Sequence, residues 1–181
     1  MTRRLIGGFR AVTGGNMAQL FIRKAVAGDA VELTDLLNEI IAAGGTTAME
    51  EPLSPDEFRA WFIDGPSVFA CHVAETDSGL AGFQEISRYG DLPAGWADIG
   101  TFSRRYPKIP GVGTALFKAT LAAARTLGIE AINATIRADN TGGLAYYGKM
   151  GFETYSTTKD VPLRDGRPVD RIKKRYCITP A

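Results

Sequence analysis

Two glycines near the middle of the chain follow a strand-like run at residues 96–102 and open a long Ala/Leu-rich segment at residues 112–127. The first N–H groups of a helix have no intrahelical acceptor, and they lie at the positive end of the helix dipole. Gly111 and Gly113 would let an anionic group come close to this backbone. The pattern predicts a phosphate site at the start of the helix, with a simple strand-to-helix turn as the alternative.

The composition narrows the class of protein. A chain of 181 residues fits one domain, and 45% hydrophobic residues suffice for a packed core. A net charge of +1 gives no overall field that would favour nucleic acid. Two cysteines without CxxC spacing favour free thiols in a reducing, cytoplasmic compartment. A single histidine argues against a zinc site or a Ser-His-Asp hydrolase, so we predict no metal, and no apolar run reaches the ~20 residues that span a membrane.

The amino-terminal residues differ from the rest. Residues 1–16 carry three arginines without an acidic residue, and glycines are frequent among them. We interpret residues 1–17 as a leader, either a flexible extension or a consequence of start-site choice, with an arm that docks on a neighbouring molecule as the alternative. Residues 18–178 are predicted to form one domain.

Hydrophobic periodicity and turn residues predict seven strands and four helices in that domain. The strands are expected at 20–25, 68–75, 80–89, 96–102, 131–136, 152–161 and 169–178. The helices are expected at 29–43, 54–64, 112–127 and 140–150.

Capping patterns mark the first two helices. Asp29 with Glu32 and Ser54 with Glu57 both have the spacing of a capping box. In the second helix, Trp61 is expected to share one face with the phenylalanines at 58 and 62.

A second motif follows the glycine loop by about thirty residues. Asn140 precedes Tyr147 by seven residues, and Tyr147 begins a Tyr-x-Lys-x-Gly-Phe sequence. Together with the Lys-x-x-Gly-x-Gly loop that starts at Lys108, this resembles the GNAT superfamily of acyl-CoA-dependent N-acetyltransferases. The resemblance implies an α/β (α+β) fold: a single domain whose mixed central sheet of about seven strands, with about four helices, splays between strands 4 and 5. It also implies acetyl-CoA as co-substrate and an amine as acceptor.

The resemblance also assigns cofactor contacts. The diphosphate would lie on the N–H groups of four residues, Gly111, Val112, Gly113 and Thr114. Lys108 stands where the family has Arg or Gln, so a cation is kept without the planar guanidinium. Pro110 has no N–H to donate, which predicts somewhat weaker CoA binding or a shifted loop. The pantetheine would pair with the open strand edge at Thr101, Phe102 and Ser103. Asn140 would bond the cofactor arm, cap the helix that follows, or do both.

For catalysis, Tyr147 is the candidate general acid toward the CoA sulfur, because a phenol can protonate a departing thiolate. Tyr146, its neighbour, is expected to point elsewhere on the helix. Asp98 is the first candidate for the general base, since its surroundings resemble the strand that carries the catalytic carboxylate in some family members. Glu85 is the second candidate, and deprotonation through ordered water is the alternative to both.

The resulting hypothesis is an enzyme that acetylates a small amine, an amino acid or an analogue of one. Residues 44–62 look like the subgroup that acetylates phosphinothricin and methionine sulfoximine, and the loops at 46–53, 87–94 and 161–169 are the expected acceptor loops. The rival hypothesis is a sensor module that binds acyl-CoA without turnover. A Rossmann domain fits poorly because Leu116 stands where its third glycine would be. The sequence leaves a homodimer open.

Overall fold

The computed structural model describes residues 9–10 and 19–179, which form one mixed sheet with helices on both faces. The eight strands are β1 (Phe9–Arg10), β2 (Phe21–Lys24), β3 (Val68–Thr76), β4 (Gly79–Ser87), β5 (Trp96–Ser103), β6 (Ala131–Arg137), β7 (Glu153–Pro162) and β8 (Pro168–Cys177). Their order in the sheet is β1-β2-β3-β4-β5-β6-β8-β7. The helices are α1 (Ala30–Ala43), α2 (Pro55–Phe58), α3 (Val112–Thr126) and α4 (Thr141–Lys149).

All seven predicted strands and all four predicted helices are present, so the predicted fold class is confirmed. The additional strand, β1, comes from the predicted leader and pairs antiparallel with β2. The other leader positions lie outside the described residues, and the boundary at residue 17 stays a prediction.

The two faces of the sheet carry separate hydrophobic clusters. On one face α1 and α2 pack through Leu33, Leu37 and Phe58 against Phe83 of β4. On the other face α3 and α4 cover β5 and β6, with Phe117 among the buried residues. Because side chains alternate along a strand, each sheet residue belongs to one of these two layers.

The sheet opens between β5 and β6, the fourth and fifth of the predicted strands. These strands are parallel and pair over three positions only, from Trp96 opposite Ala131 to Asp98 opposite Asn133. β5 nevertheless continues to pair with β4 as far as Ser103 opposite Gly82. One edge of β5 beyond Asp98 therefore diverges from β6, which confirms the predicted splay.

The second helix is shorter than predicted. Ser54 and Glu57 form the predicted capping box, but after Phe58 the chain widens into a π-helical turn, Arg59–Ile63. The wider turn changes which side chains share a face. Trp61 is 56% exposed whereas Phe58 and Phe62 are buried, so the prediction that Trp61 shares one face with these phenylalanines is wrong.

The predicted capping box of α1 is also wrong. The Asp29 side chain makes no cap bond to α1, and instead forms an ion pair with Arg23 at 2.7 Å. Glu32 accepts a hydrogen bond from the Leu80 N–H at 2.8 Å. Both carboxylates thus bind residues outside α1 instead of forming the predicted capping box.

Candidate active site

The start of α3 presents the predicted cradle of backbone N–H groups. Gly111 precedes the helix with a φ of +85°, a left-handed conformation that favours glycine. A Cβ at this position would meet no atom within 4 Å, so space is open beside the backbone. The first intrahelical bond runs from the Ala115 N–H to the Gly111 carbonyl at 2.9 Å. The N–H groups of Val112, Gly113 and Thr114 precede this bond and are those that a helix leaves without an internal acceptor.

The phenol of Tyr146 packs directly on this helix start. A Cβ at Gly113 would lie 2.7 Å from Tyr146 Cε2, so only glycine fits. The Tyr146 hydroxyl donates a hydrogen bond to the Gly113 carbonyl at 2.8 Å. Its ring centroid lies 5.0 Å from that of Tyr147. The expectation that Tyr146 points elsewhere is wrong. The hydroxyl groups of both tyrosines reach the same group of polar side chains, which includes Gln84 and Thr101.

Tyr147 lies at the opening of the sheet. Its side chain is buried, and its hydroxyl is 2.9 Å from Thr101 Oγ1. Thr101 comes three residues after Asp98, the last residue of β5 that pairs with β6. Burial raises the pKa of Tyr147 above its ordinary value, and the Thr101 hydrogen bond opposes that rise.

The two candidate bases lie on the sheet face opposite Thr101. Glu85 is buried opposite Gly100, and its Oε2 has no hydrogen-bond partner within residues 19–179. Burial, followed by the charge of Asp98, raises the pKa of Glu85 to about 8. Burial raises the pKa of Asp98 to about 6, although Asn133 and Lys173 act in the opposite direction.

Gly100 lets Glu85 and Phe102 pack closely on the backbone of β5. A Cβ at this position would lie 3.1 Å from Glu85 Oε1 and 2.9 Å from the ring of Phe102. The close packing of Glu85 and Phe102 on β5 therefore depends on the absence of a side chain at position 100.

Sequence reasoning missed the residues that orient Asp98. Asn133 of β6 donates a hydrogen bond to Asp98 Oδ1, and Tyr155 of β7 donates one to Asn133 Oδ1 at 2.6 Å. Asn133 is 2% exposed. A buried amide between Ile132 and Ala134 was the available signal, because such a group needs partners.

The other predicted cofactor residues are placed as follows. The ring of Phe102 stacks on Phe83 at 4.8 Å in the core, while Ser103 and Lys108 are exposed. Asn140 caps α4: its Oδ1 accepts from the Gly143 N–H at 2.8 Å, and its Nδ2 donates to the Thr46 carbonyl at 2.8 Å. The capping alternative for Asn140 is therefore confirmed, and its contact with the cofactor stays a prediction.

A cavity of about 190 Å³ lies on the same face as the two carboxylates. It brings together two of the three expected acceptor loops, because its lining comes from residues 44–50, Arg137 and residues 163–167. Arg137 is 5% exposed and forms an ion pair with Asp139 at 2.6 Å. Arg171, opposite Arg137 in the β6–β8 pairing, is also buried and donates to the Val169 carbonyl at 3.0 Å.

Within the part of the chain that the structure describes, no helix is long and apolar enough to cross a membrane.

Known proteins of similar sequence and structure carry acetyltransferase names. YwnH of Bacillus subtilis, provisionally named as a phosphinothricin acetyltransferase, is 26% identical over 152 residues, which are 82% of this chain and 93% of YwnH. Phosphinothricin N-acetyltransferase of Streptomyces coelicolor is 25% identical over 156 residues, which are 83% of this chain and 91% of that protein. The crystal structure of a GNAT phosphinothricin acetyltransferase from Sinorhizobium meliloti in complex with acetyl-CoA superposes with a TM-score of 0.76 at 23% identity, covering 88% of each chain.

The family comparison covers the splay, the glycine loop and both tyrosines. The model of the Acetyltransferase (GNAT) family matches residues 33–152, more than half of the chain. The chain belongs to the GNAT family of acetyltransferases.

Proposed function

We propose that this enzyme transfers the acetyl group of acetyl-CoA to the amine of a small amino acid or amino acid analogue. The observation that carries the proposal is the position of the Tyr147 hydroxyl. It lies at the divergence of β5 and β6, with the open start of α3 on one face of the sheet and two carboxylates, the buried Glu85 and the half-buried Asp98, on the other.

Acetyl-CoA is the co-substrate, and its two ends fit two features of the fold. The diphosphate would accept hydrogen bonds from the N–H groups at residues 111–114, where the helix dipole also favours an anion. The pantetheine would pair with the β5 edge at residues 101–103, because a diverging strand leaves backbone groups that need partners. Thr101 uses its side chain for Tyr147, so its backbone can serve the cofactor at the same time.

In the chemical step, the deprotonated amine attacks the thioester carbonyl, and the C–S bond of the tetrahedral intermediate then breaks. Tyr147 donates its proton to the departing sulfur. Asp98 or Glu85 receives the proton of the substrate ammonium, directly or through water. Asp98, with a pKa of about 6, is ionised at neutral pH, whereas Glu85, with a pKa of about 8, is mostly protonated. These values favour Asp98 as the base at pH 7.

Charge on the acceptor side supports an anionic amino acid as substrate. Arg171 and Lys173 alternate along β8 on the face that carries Asp98. The cavity adds Arg137, Arg164 and Arg167, which outnumber its two carboxylates, Glu50 and Asp165. Buried arginines recognise carboxylate and phosphinate groups well because their N–H groups form a planar fork. The names of the two curated relatives point to phosphinothricin, an amino acid analogue of this kind.

The first experiment is a transfer assay. Purified protein is incubated with acetyl-CoA and amino acids, their phosphinate and sulfoximine analogues, polyamines and peptides, and thiol release and N-acetylated product are measured. We expect turnover with anionic amino acids or their analogues. Tyr147→Phe should lower kcat by about 10²-fold while the Kd of acetyl-CoA changes little. Tight acetyl-CoA binding with no product from any amine would instead favour the sensor function.

The second experiment identifies the base. If Asp98 is the base, kcat/KM should rise with pH through about 6, and Asp98→Asn should abolish that rise. If Glu85 is the base, the rise should centre near 8 and disappear in Glu85→Gln. A profile that neither substitution alters would assign deprotonation to water.

A further inference from the structure

Gln84 of β4 connects the two tyrosines of the active site. It is 0% exposed, and its Nε2 donates to Thr101 Oγ1 at 2.8 Å and to the Tyr146 hydroxyl at 3.2 Å. Thr101 in turn contacts the Tyr147 hydroxyl, and Tyr146 contacts the Gly113 carbonyl. One buried amide therefore joins the proposed acid to the helix start that would hold the diphosphate.

Hydrogen-bond accounting fixes the orientation of this amide. The Gly113 carbonyl can only accept, so the single proton of the Tyr146 hydroxyl is committed to it. Tyr146 must then accept from Gln84, which places Nε2, rather than Oε1, on the side of Tyr146 and Thr101. A flipped amide would put two acceptors against each other.

Two other buried polar atoms lie on the same face of the sheet as the other end of the amide. Gln84 Oε1, His72 Nδ1 and Thr120 Oγ1 are buried and have no partner among residues 19–179. His72 is opposite Gln84 in the β3–β4 pairing, and Thr120 is on the buried side of α3, the helix that covers this face. A threonine hydroxyl and a neutral imidazole are suitable donors to an amide oxygen, directly or through a buried water. Such donors would hold the amide in the orientation described.

The orientation of Gln84 leaves the Thr101 proton available for the next hydrogen bond. Thr101 Oγ1 accepts from Gln84, and its other side-chain partner within the described residues is the Tyr147 hydroxyl. A hydroxyl that accepts one hydrogen bond keeps its own proton and one lone pair. When the Thr101 proton points to the Tyr147 oxygen, the Tyr147 proton is available for another acceptor.

We infer that Gln84 is a positioning residue that fixes the direction of these hydrogen bonds, so that Thr101 donates to Tyr147 and Tyr147 donates to the leaving sulfur. The inference rests on the proposed function. When the C–S bond breaks, its electron pair goes to sulfur, the Tyr147 O–H bond breaks and an S–H bond forms. The tyrosinate keeps the hydrogen bond from Thr101 until solvent returns a proton.

A double-mutant cycle tests the inference. Gln84→Met keeps similar volume but removes both donors, and we expect it to lower kcat by about tenfold in the otherwise unchanged enzyme. In a Tyr147→Phe background the same substitution should lower kcat by less than about twofold, because the group it positions is gone. Urea unfolding and the Kd of acetyl-CoA establish that each variant is folded and binds the cofactor.

A second pair of variants keeps the test independent of the stability of the Gln84 variant. Thr101→Val should lower kcat as Gln84→Met does, while Thr101→Ser, which keeps the hydroxyl, should recover most of the rate. Tyr146→Phe removes the bond to Gly113 and also the acceptor that fixes the Gln84 amide, so it should both raise the KM for acetyl-CoA and lower kcat.

Two outcomes would overturn the inference, and they are distinguishable. Equal effects of Gln84→Met with and without Tyr147 would show that Gln84 supports the structure in general rather than the acid. A Tyr147→Phe variant with undiminished kcat would remove the acid role itself, so that part of the proposed function would fail together with the inference.

Discussion

Glu85 and Asp98 show how neighbouring residues give two carboxyl groups different properties. Both are largely withdrawn from water, which favours their neutral forms. Asp98 keeps a hydrogen bond from Asn133 and the nearby charge of Lys173. Glu85 Oε2 has no such partner in the described chain and has the charge of Asp98 beside it. The pKa of Glu85 is therefore the higher of the two.

Glu85 should give the stability of the enzyme a measurable pH dependence. Its pKa of about 8 in the folded protein lies above the ordinary value of 4.5, so the folded state holds a proton that the unfolded state has already lost. The free energy of unfolding should fall as pH rises from about 4.5 to about 8, and Glu85→Gln should remove this part of the slope. We expect the variant to gain about 2–4 kcal/mol relative to the original enzyme between pH 4.5 and 8.5.

Urea unfolding at both pH values measures this difference. Glu39→Gln, on the exposed side of α1, is the control for the loss of one carboxylate at the surface. Parallel pH dependence of the original enzyme and the Glu85 variant would contradict a buried, protonated Glu85.

At the scale of elements, α4 is joined to the loop around Thr46 by its N-cap residue, Asn140. Asn140 satisfies the Gly143 N–H and, through its other side-chain atom, holds the Thr46 carbonyl. The loop that begins at residue 44 lines the cavity together with Arg137. The Asn140 side chain therefore holds both helix α4, which carries Tyr147, and the loop that begins at residue 44.

Two substitutions at Asn140 should separate these roles. Asn140→Asp keeps an acceptor for the helix but loses the donor to Thr46, so stability should change by a few tenths of a kcal/mol while the KM for the acceptor rises about fivefold. Asn140→Ala should lose both and reduce the free energy of unfolding by about 1 kcal/mol more. Urea unfolding and acceptor titrations measure the two effects. An unchanged acceptor KM in Asn140→Asp would show that the contact with Thr46 does not shape the acceptor site.

At the scale of the whole molecule, the sheet consists of two parts joined across a short parallel pairing. β1 to β5 form one part, and β6, β8 and β7 form the other, with three residue pairs between β5 and β6. Helices α3 and α4 pack over the joint. A ligand inserted at the splay would add contacts to both parts and stabilise the folded state by mass action.

Acetyl-CoA should therefore raise the melting temperature. At about 100 times its Kd, the gain is about 2.7 kcal/mol, or roughly 5–10 °C for a chain of this size. Differential scanning calorimetry measures the shift, and pantetheine at the same concentration, which lacks the diphosphate, should give a smaller one. Equal shifts with both ligands would argue against a diphosphate site at the start of α3.

Local patterns in the sequence predicted the elements well, because hydrophobic periodicity and turn residues act over a few positions. The Ser54 capping box follows from residues only three positions apart. The patterns failed where a distant residue competed for the same group. Glu32 binds the Leu80 N–H rather than its own helix, and the π-helical turn exposes Trp61.

The arrangement of the candidate site depended on tertiary structure. The pairing of β4 with β5 places Gln84 beside Thr101, and the packing of α4 on α3 adds Tyr146 to the same cluster. The protonation states of the two carboxylates depend on burial and on contacts between strands. By itself the sequence determined the order of the elements and the family motif, since these are local. The hydrogen-bond network was decided by strand register and helix packing, since its members are far apart in the chain.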